Sequence, residues 1–348
     1  ITVNFGTVIE NLTGSAYADS LYGNEVANSI DGGAGNDTIA GGDGDDTLVG
    51  GSGNDSLTGG AGNDTFIVDT GVDTISDLSS GDALVVSSGA SVHVNIASPF
   101  TATSVTRNSG FAALTTNGFS VDLGQVQGAG GFSVTNIGGA IQIIGAAGND
   151  TLTGGSENDT IKGGAGNDSI DGGAGLDTAA YAGKRSDYFI TTAGNTTTVA
   201  SKGNVTDGQD RLNNVERLLF SDSSIALDTE AAAGATAQII GAALGKGGFT
   251  NLPIVGVVLG YIDNGGTADS GASLLVQAGI MAELAGGTDN ASLLRYTLNN
   301  LGLQSSTRLE SILNTQGQEA FFKVAVSGYE NILNVDLVGL AKTGLAYV

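Results

Sequence analysis

A single large apolar residue returns at every ninth position along the first quarter of the chain, as Leu12, Leu21, Ile30, Ile39, Leu48, Leu57, Phe66, Ile75 and Leu84. Glycine, Asn, Asp, Ser and Thr dominate the positions between them. A period held this long without a gap predicts a stacked-repeat architecture, in which each unit buries its apolar side chain against its neighbours. The register is cleanest over residues 32–67, which divide into GGAGNDTIA, GGDGDDTLV, GGSGNDSLT and GGAGNDTFI. In each unit T-[IL]-x predicts a short strand with its apolar side chain inward, and G-G-x-G-N-D predicts a sharp turn rich in oxygen atoms. Backward the register reaches FGTVIENLT at Phe5, and forward it takes in VDTGVDTIS and DLSSGDALV.

Over residues 86–144 the glycine code disappears and alternating stretches such as SVHVNI from Ser91 and FSVDL from Phe119 predict strands of a metal-poor β segment. The nonapeptide returns over 145–180 as GAAGNDTLT, GGSENDTIK, GGAGNDSID and GGAGLDTAA, with Leu152, Ile161, Ile170 and Ala179 at the apolar position. Residues 181–228 carry strand-like YFITT, TTTVAS and ERLLF with a turn at Asp207-Gly208, and are expected to cap the open end of the stack. From 229 to 348 the spacing turns helical, as in Leu274, Ala278 and Met281 or Leu294, Leu298 and Leu301. The expected fold is therefore mainly β, a parallel β-solenoid with repeat blocks at 1–85 and 145–180, followed by a C-terminal α-helical domain.

Charge sharpens this picture. Thirty-six acidic against 12 basic residues give a formal charge of −24, and no Lys or Arg precedes Arg107. Such a chain repels nucleic acid and anionic membrane surfaces and attracts cations. Cysteine is absent, which excludes a disulfide framework and cysteine-based zinc. The longest apolar run, residues 252–262, is too short to span a bilayer, and no charged n-region precedes an apolar segment at the start, so neither a transmembrane segment nor a signal peptide is expected.

Glycines reach positive φ and bring carbonyl oxygens close without a Cβ in the way, and each aspartate adds charge. Calcium, a hard cation that takes six to eight oxygens, suits such a turn. The repeated G-G-x-G-N-D-x-[IL]-x resembles the RTX nonapeptide family, calcium-binding repeats of secreted bacterial proteins. The resemblance implies a parallel β-roll binding several calcium ions in its turns. Two nonapeptides make one coil, so units i and i+2 stack, with an ion expected between stacked turns. In the first block the candidate ligand residues are Asp19, Gly32, Gly33, Gly35, Asp37, Gly41, Gly42, Gly44, Asp46, Gly50, Gly51, Gly53, Asp55, Gly59, Gly60, Gly62, Asp64, Asp73 and Asp82. In the second they are Gly148, Asp150, Gly154, Gly155, Asp159, Gly163, Gly164, Gly166, Asp168, Gly172, Gly173, Gly175 and Asp177. The expected stacked pairs are Asp37 with Asp55, Asp46 with Asp64, Asp55 with Asp73, Asp150 with Asp168, and Asp159 with Asp177.

Catalysis finds little support in these residues. There is one histidine, His93, no cysteine nucleophile and no G-x-S-x-G elbow. An EF-hand reading of the stretch from Asp43 fails because its fifth-position ligand, sixth-position glycine and closing glutamate are missing. The final stretch NVDLVGLAKTGLAYV resembles the uncleaved ends of type I secretion substrates, which implies the type I machinery as a partner and an extracellular destination. Two functions fit: a structural, self-assembling surface-layer, adhesion or matrix component, or the calcium-dependent export module of a larger secreted enzyme or toxin whose catalytic domain precedes Ile1. Because Asp55 belongs to two stacked pairs, Asp55→Ala is expected to weaken two neighbouring calcium sites in a titration. Unchanged stoichiometry and affinity would show that the i/i+2 register is wrong.

Overall fold

A strand of three residues with one inward side chain cannot bury it alone, so the units wind into coils whose like positions stack. In the computed structural model the described residues are 10–203, 205–228, 258–259, 261–263, 266–267, 270–273, 316, 318, 320, 323 and 345–347. The chain forms two compact units, one of residues 1–189 with 194–215 and one of 190–193 with 216–348.

In the first unit successive repeats alternate between two parallel sheets. Asn11–Thr13, Ser29–Asp31, Thr47–Val49, Thr65–Val68 and Ala83–Val86 stack in one, closed by Arg107–Asn108. In the other, Ser20–Tyr22, Thr38–Asp43, Ser56–Ala61 and Val72–Leu78 are followed by Ser91–Ile96, Phe111–Thr116, Phe132–Asn136, Thr151–Ser156 and Ser169–Ala174. This second sheet runs through both repeat blocks and the stretch between them. Its central column reads Leu21, Ile39, Leu57, Ile75, Val94, Leu114, Val134, Leu152 and Ile170, each the register partner of the next. All nine are buried. A third parallel sheet, Phe100–Thr101, Val121–Asp122, Gln142–Ile144, Thr160–Lys162 and Thr178–Ala180, faces the later coils.

The stretch 181–215 contains more than a closing hairpin. Gln209–Asn213 lies parallel to Ser169–Ala174 with Leu212 opposite Ile170, so the column gains one more buried residue after a long excursion. Thr196–Ser201 then pairs antiparallel with it.

In the second unit Arg217–Leu219, Ser224–Ala226 and Leu345–Tyr347 form an antiparallel sheet. Buried Arg217 donates to Asp228 at 2.5 Å and also pairs with Asp263. Helical backbone occurs at 258–259, 261–263 and 270–273, whereas most of the helical domain expected over 229–348, its proposed export signal before 345, and the repeat start at Phe5 lie outside the described residues. No helix among the described residues is long and apolar enough to cross a membrane.

Leu57 is wholly buried between Ile39 and Ile75. Leu57→Ala is predicted to cost about 2–5 kcal/mol in calcium-saturated protein, read by denaturant unfolding, because stacked coils cannot collapse into the cavity without breaking register.

A candidate cation cradle in the turns

The turns are built by hydrogen bonds that cross one coil at a time. Asp37 N–H donates to Asp55 Oδ1 at 2.8 Å, Asp46 to Asp64 at 2.9 Å, and Asp55 to Asp73 at 3.0 Å. In the second block Asp150 donates to Asp168 and Asp159 to Asp177, both at 2.8 Å. The five expected pairs are thus brought together, through one carboxylate oxygen and the amide of the coil before it. Neighbouring turns are also tied by Asn54 N–H to Asn36 Oδ1 and Asn167 N–H to Asn149 Oδ1, both 2.9 Å.

The second carboxylate oxygen goes elsewhere, toward the first glycine of its own turn. A Cβ on Gly32 would lie 2.4 Å from Asp37 Oδ2 and 2.6 Å from the carbonyl oxygen of Gly50, one coil on. The same pair of oxygens, one carboxylate and one carbonyl from the next coil, meets at Gly41 (Asp46, Gly59), Gly145 (Asp150, Gly163) and Gly154 (Asp159, Gly172). At Gly14 the pair is Asp19 with Gly32, and at Gly23 the amide oxygen of Asn28 replaces the carboxylate, facing Gly41. Gly50, Gly59 and Gly163 likewise face Asp55, Asp64 and Asp168. Of the predicted second- and fourth-position glycines, all but Gly148 have left-handed φ. Gly53 shows why, since at φ +141° a Cβ would sit 1.8 Å from the Gly35 carbonyl oxygen. Glu157 takes a fourth position without being glycine, at φ +82°.

Among the described residues, Oδ2 of Asp37, Asp46, Asp55, Asp73, Asp159 and Asp168 is buried with no hydrogen-bond donor. A buried carboxylate oxygen without a partner costs several kcal/mol, so its recurrence at one position of a repeat calls for a cation. Three predicted residues are better satisfied. Asp19 Oδ2 accepts from the Ser15 amide and hydroxyl, Asp82 Oδ2 from those of Ser79, and Asp150 Oδ2 from the Ala146 amide.

The stretch between the blocks solves the same problem with neutral groups. Asn136 Nδ2 donates to the carbonyls of Gly154 (2.6 Å) and Gly139 (2.8 Å) while its Oδ1 accepts from Gly138 and Gly118. Asn108 does likewise, donating to the Gly131 carbonyl and accepting from Gly110. An amide carries donor and acceptor together, so these turns close without a cation.

The chain matches the RTX calcium-binding nonapeptide repeat family over residues 7–39, 40–75 and 144–179. It carries RTX calcium-binding repeats. No curated protein matches the chain. Among the described residues no three His, Cys, Asp or Glu side chains converge on one point. The residues present fit calcium: every donor in the cradle is a hard oxygen, one is charged, and the position has no room for a Cβ.

Burial, reinforced except at Asp150 by neighbouring carboxylates, pushes Asp64, Asp73, Asp150, Asp159 and Asp168 of the RTX turns up to about 6. Burial likewise raises Asp46, Asp55, Asp82 and Asp177. In the cation-free protein these groups hold protons that the unfolded chain has released. Stability from this source is present below the ordinary carboxylate range near pH 4 and is lost as pH rises through about 6. With chelator present, the β-sheet circular dichroism signal is therefore predicted to be stronger at pH 5 than at pH 7.5. A chelated protein whose β signal grows with pH over that interval would contradict the assignment.

Proposed function

We propose that this chain is an extracellular calcium-binding protein that leaves the cell unfolded through a type I exporter, folds on meeting calcium, and serves as a structural, self-assembling component of the cell surface or matrix. The observation that carries the folding step is the set of buried Oδ2 atoms without donors at Asp37, Asp46, Asp55, Asp159 and Asp168, each against the first glycine of its own turn, with a carbonyl oxygen of the next coil arriving at Gly32, Gly41 and Gly154. Calcium supplies the positive charge that lets these oxygens share one small volume. Extracellular calcium modules bind with constants of about 10⁻⁴–10⁻³ M, far above cytosolic free calcium. The cytosolic chain is then left with repelling carboxylates and little reason to coil, which suits an exporter of unfolded chains.

The structural role draws support from how the polar side chains are used. In the repeats the aspartates and asparagines are spent on coil-to-coil bonds and cradles, while His93, the sole histidine, projects exposed from its strand.

Two measurements bear on this reading. Chelation at pH 7.5 is expected to remove most of the β-sheet signal and millimolar calcium to restore it; a signal indifferent to chelation would overturn calcium-coupled folding. Electron microscopy of the intact protein in calcium is expected to show ordered sheets or filaments that disperse on chelation. Single, unassociated particles in saturating calcium would overturn the structural role and leave the folding mechanism standing.

A further inference from the structure

The capping segment resumes the coil geometry after the repeats have ended. Asp168 N–H donates to Asp210 Oδ1 at 3.0 Å, as Asp150 N–H donates to Asp168 Oδ1 at 2.8 Å. Gln209 N–H donates to Asn167 Oδ1 at 2.8 Å, in the place of Asn167 N–H on Asn149. Arg211 N–H reaches the Asp168 carbonyl as Ser169 N–H reaches that of Asp150, each at 2.8 Å. The step from Asp168 to Asp210 spans 42 residues where the earlier one spans 18. A coil is therefore completed with an excursion looped out of it, and its chain then crosses to the turn that begins at Gly172.

There the cradle geometry appears again. A Cβ on Gly172 would lie 2.1 Å from the carbonyl oxygen of Asn214 and 2.7 Å from Asp177 Oδ2. At Gly145 the corresponding distances are 2.0 Å to the Gly163 carbonyl and 2.7 Å to Asp150 Oδ2, and at Gly154 both are 2.5 Å. Asn214 thus stands where the first glycine of a following repeat would stand, in a segment beyond the matched repeats. Its backbone has left-handed φ, +49°, shared among non-glycine described residues with Glu157 alone. Its side chain is fixed by an Nδ2–H···Oδ1 bond of 2.8 Å to Asp171.

We propose that the main-chain carbonyl of Asn214 is the terminal calcium ligand of the solenoid, closing with Asp177 and the Gly172 turn a cation site that the repeats leave incomplete. The inference rests on reading the turns as calcium sites. Asp177 has no further repeat above it, so its site is finished from the cap, by a backbone atom of a residue that here holds φ above zero. Asn tolerates that conformation, glycine adopts it freely, and a β-branched residue resists it.

Calorimetric titration of the full chain with calcium tests this. Asn214→Gly is expected to keep the wild-type number of ions. Asn214→Val and Asp177→Asn are each expected to lose one ion or weaken one at least tenfold, and the double variant to lose no more than either alone. Full wild-type binding by Asn214→Val, or two ions lost in the double variant, would overturn the proposal. A wild-type chain that bound no calcium would instead remove the reading of all the turns.

Should Asn214→Val fail to fold in calcium, the wild-type protein answers directly. Labelling with ¹³C-carbonyl Asn and ¹⁵N-Val selects three peptide bonds, beginning at Asn204, Asn214 and Asn334. Asn214→Gly identifies the middle one by its disappearance. Exchanging calcium for strontium is expected to move that carbonyl resonance, as it moves any carbonyl bound to the ion. A resonance that stays fixed while the calorimetric sites exchange would overturn the proposal.

Discussion

Stacking identical turns in parallel brings identical charges together, and this architecture meets that constraint by giving the two oxygens of each aspartate different work. One oxygen accepts from the amide of the coil before, so it pulls the stack together. In Asp37, Asp46, Asp55, Asp159 and Asp168 the other is turned, buried and without a donor, onto the first glycine of its own turn. The coil spacing, the missing Cβ atoms and the acidity of the chain all follow from that division. A side chain at Gly32 or Gly154 would fill the place where the oxygens meet, and a neutral residue in place of Asp37 or Asp159 would remove the charge that selects a divalent cation.

This division also separates what holds the protein together from what switches it. The apolar column from Leu21 to Ile170 is buried throughout and contains no charged group. Yet each unit contributes only one such side chain against the ordering of nine residues, so burial alone does not carry the coil. Ladder hydrogen bonds narrow the gap, and uncompensated buried carboxylates widen it again. A fold so poised can be decided by the ions in its turns.

The inward column and the stacking of units i and i+2 were legible in the sequence because both rest on strict spacing. Leu48 and Phe66 are register partners, as the nine-residue period requires. The manner in which aspartates pair was less visible. Spacing places Asp37 beside Asp55, but only coordinates show that the contact is carboxylate to amide and that the cradle partner of Asp37 is the Gly50 carbonyl. Whether the sheet runs on between the blocks stayed open in the sequence, because there the coils lengthen and the glycines leave the nine-residue register. Asn108 and Asn136 look like ordinary loop residues until their amides are seen bridging turns. Asp210 and Asn214 were missed for a plainer reason. A long excursion breaks the period, Val205 and Thr206 stand where the first two glycines would be, and a main-chain carbonyl leaves no trace in residue identity.

The neutral coils around Asn108 and Asn136 divide the cation-bearing turns without dividing the sheet. In the repeat blocks each aspartate fixes the amide of the coil before it, so an ion that orders one turn also helps to position the next. Asn136 keeps the coil-to-coil bond, its Oδ1 accepting from Gly118, while its own amide satisfies the Gly154 carbonyl without a charge. The strand ladder from Val72–Leu78 through Ser91–Ile96, Phe111–Thr116 and Phe132–Asn136 to Thr151–Ser156 passes straight through these coils. The two blocks of RTX repeats then share one sheet. The strand ladder joins one block to the other through turns that Asn108 and Asn136 close with neutral amides.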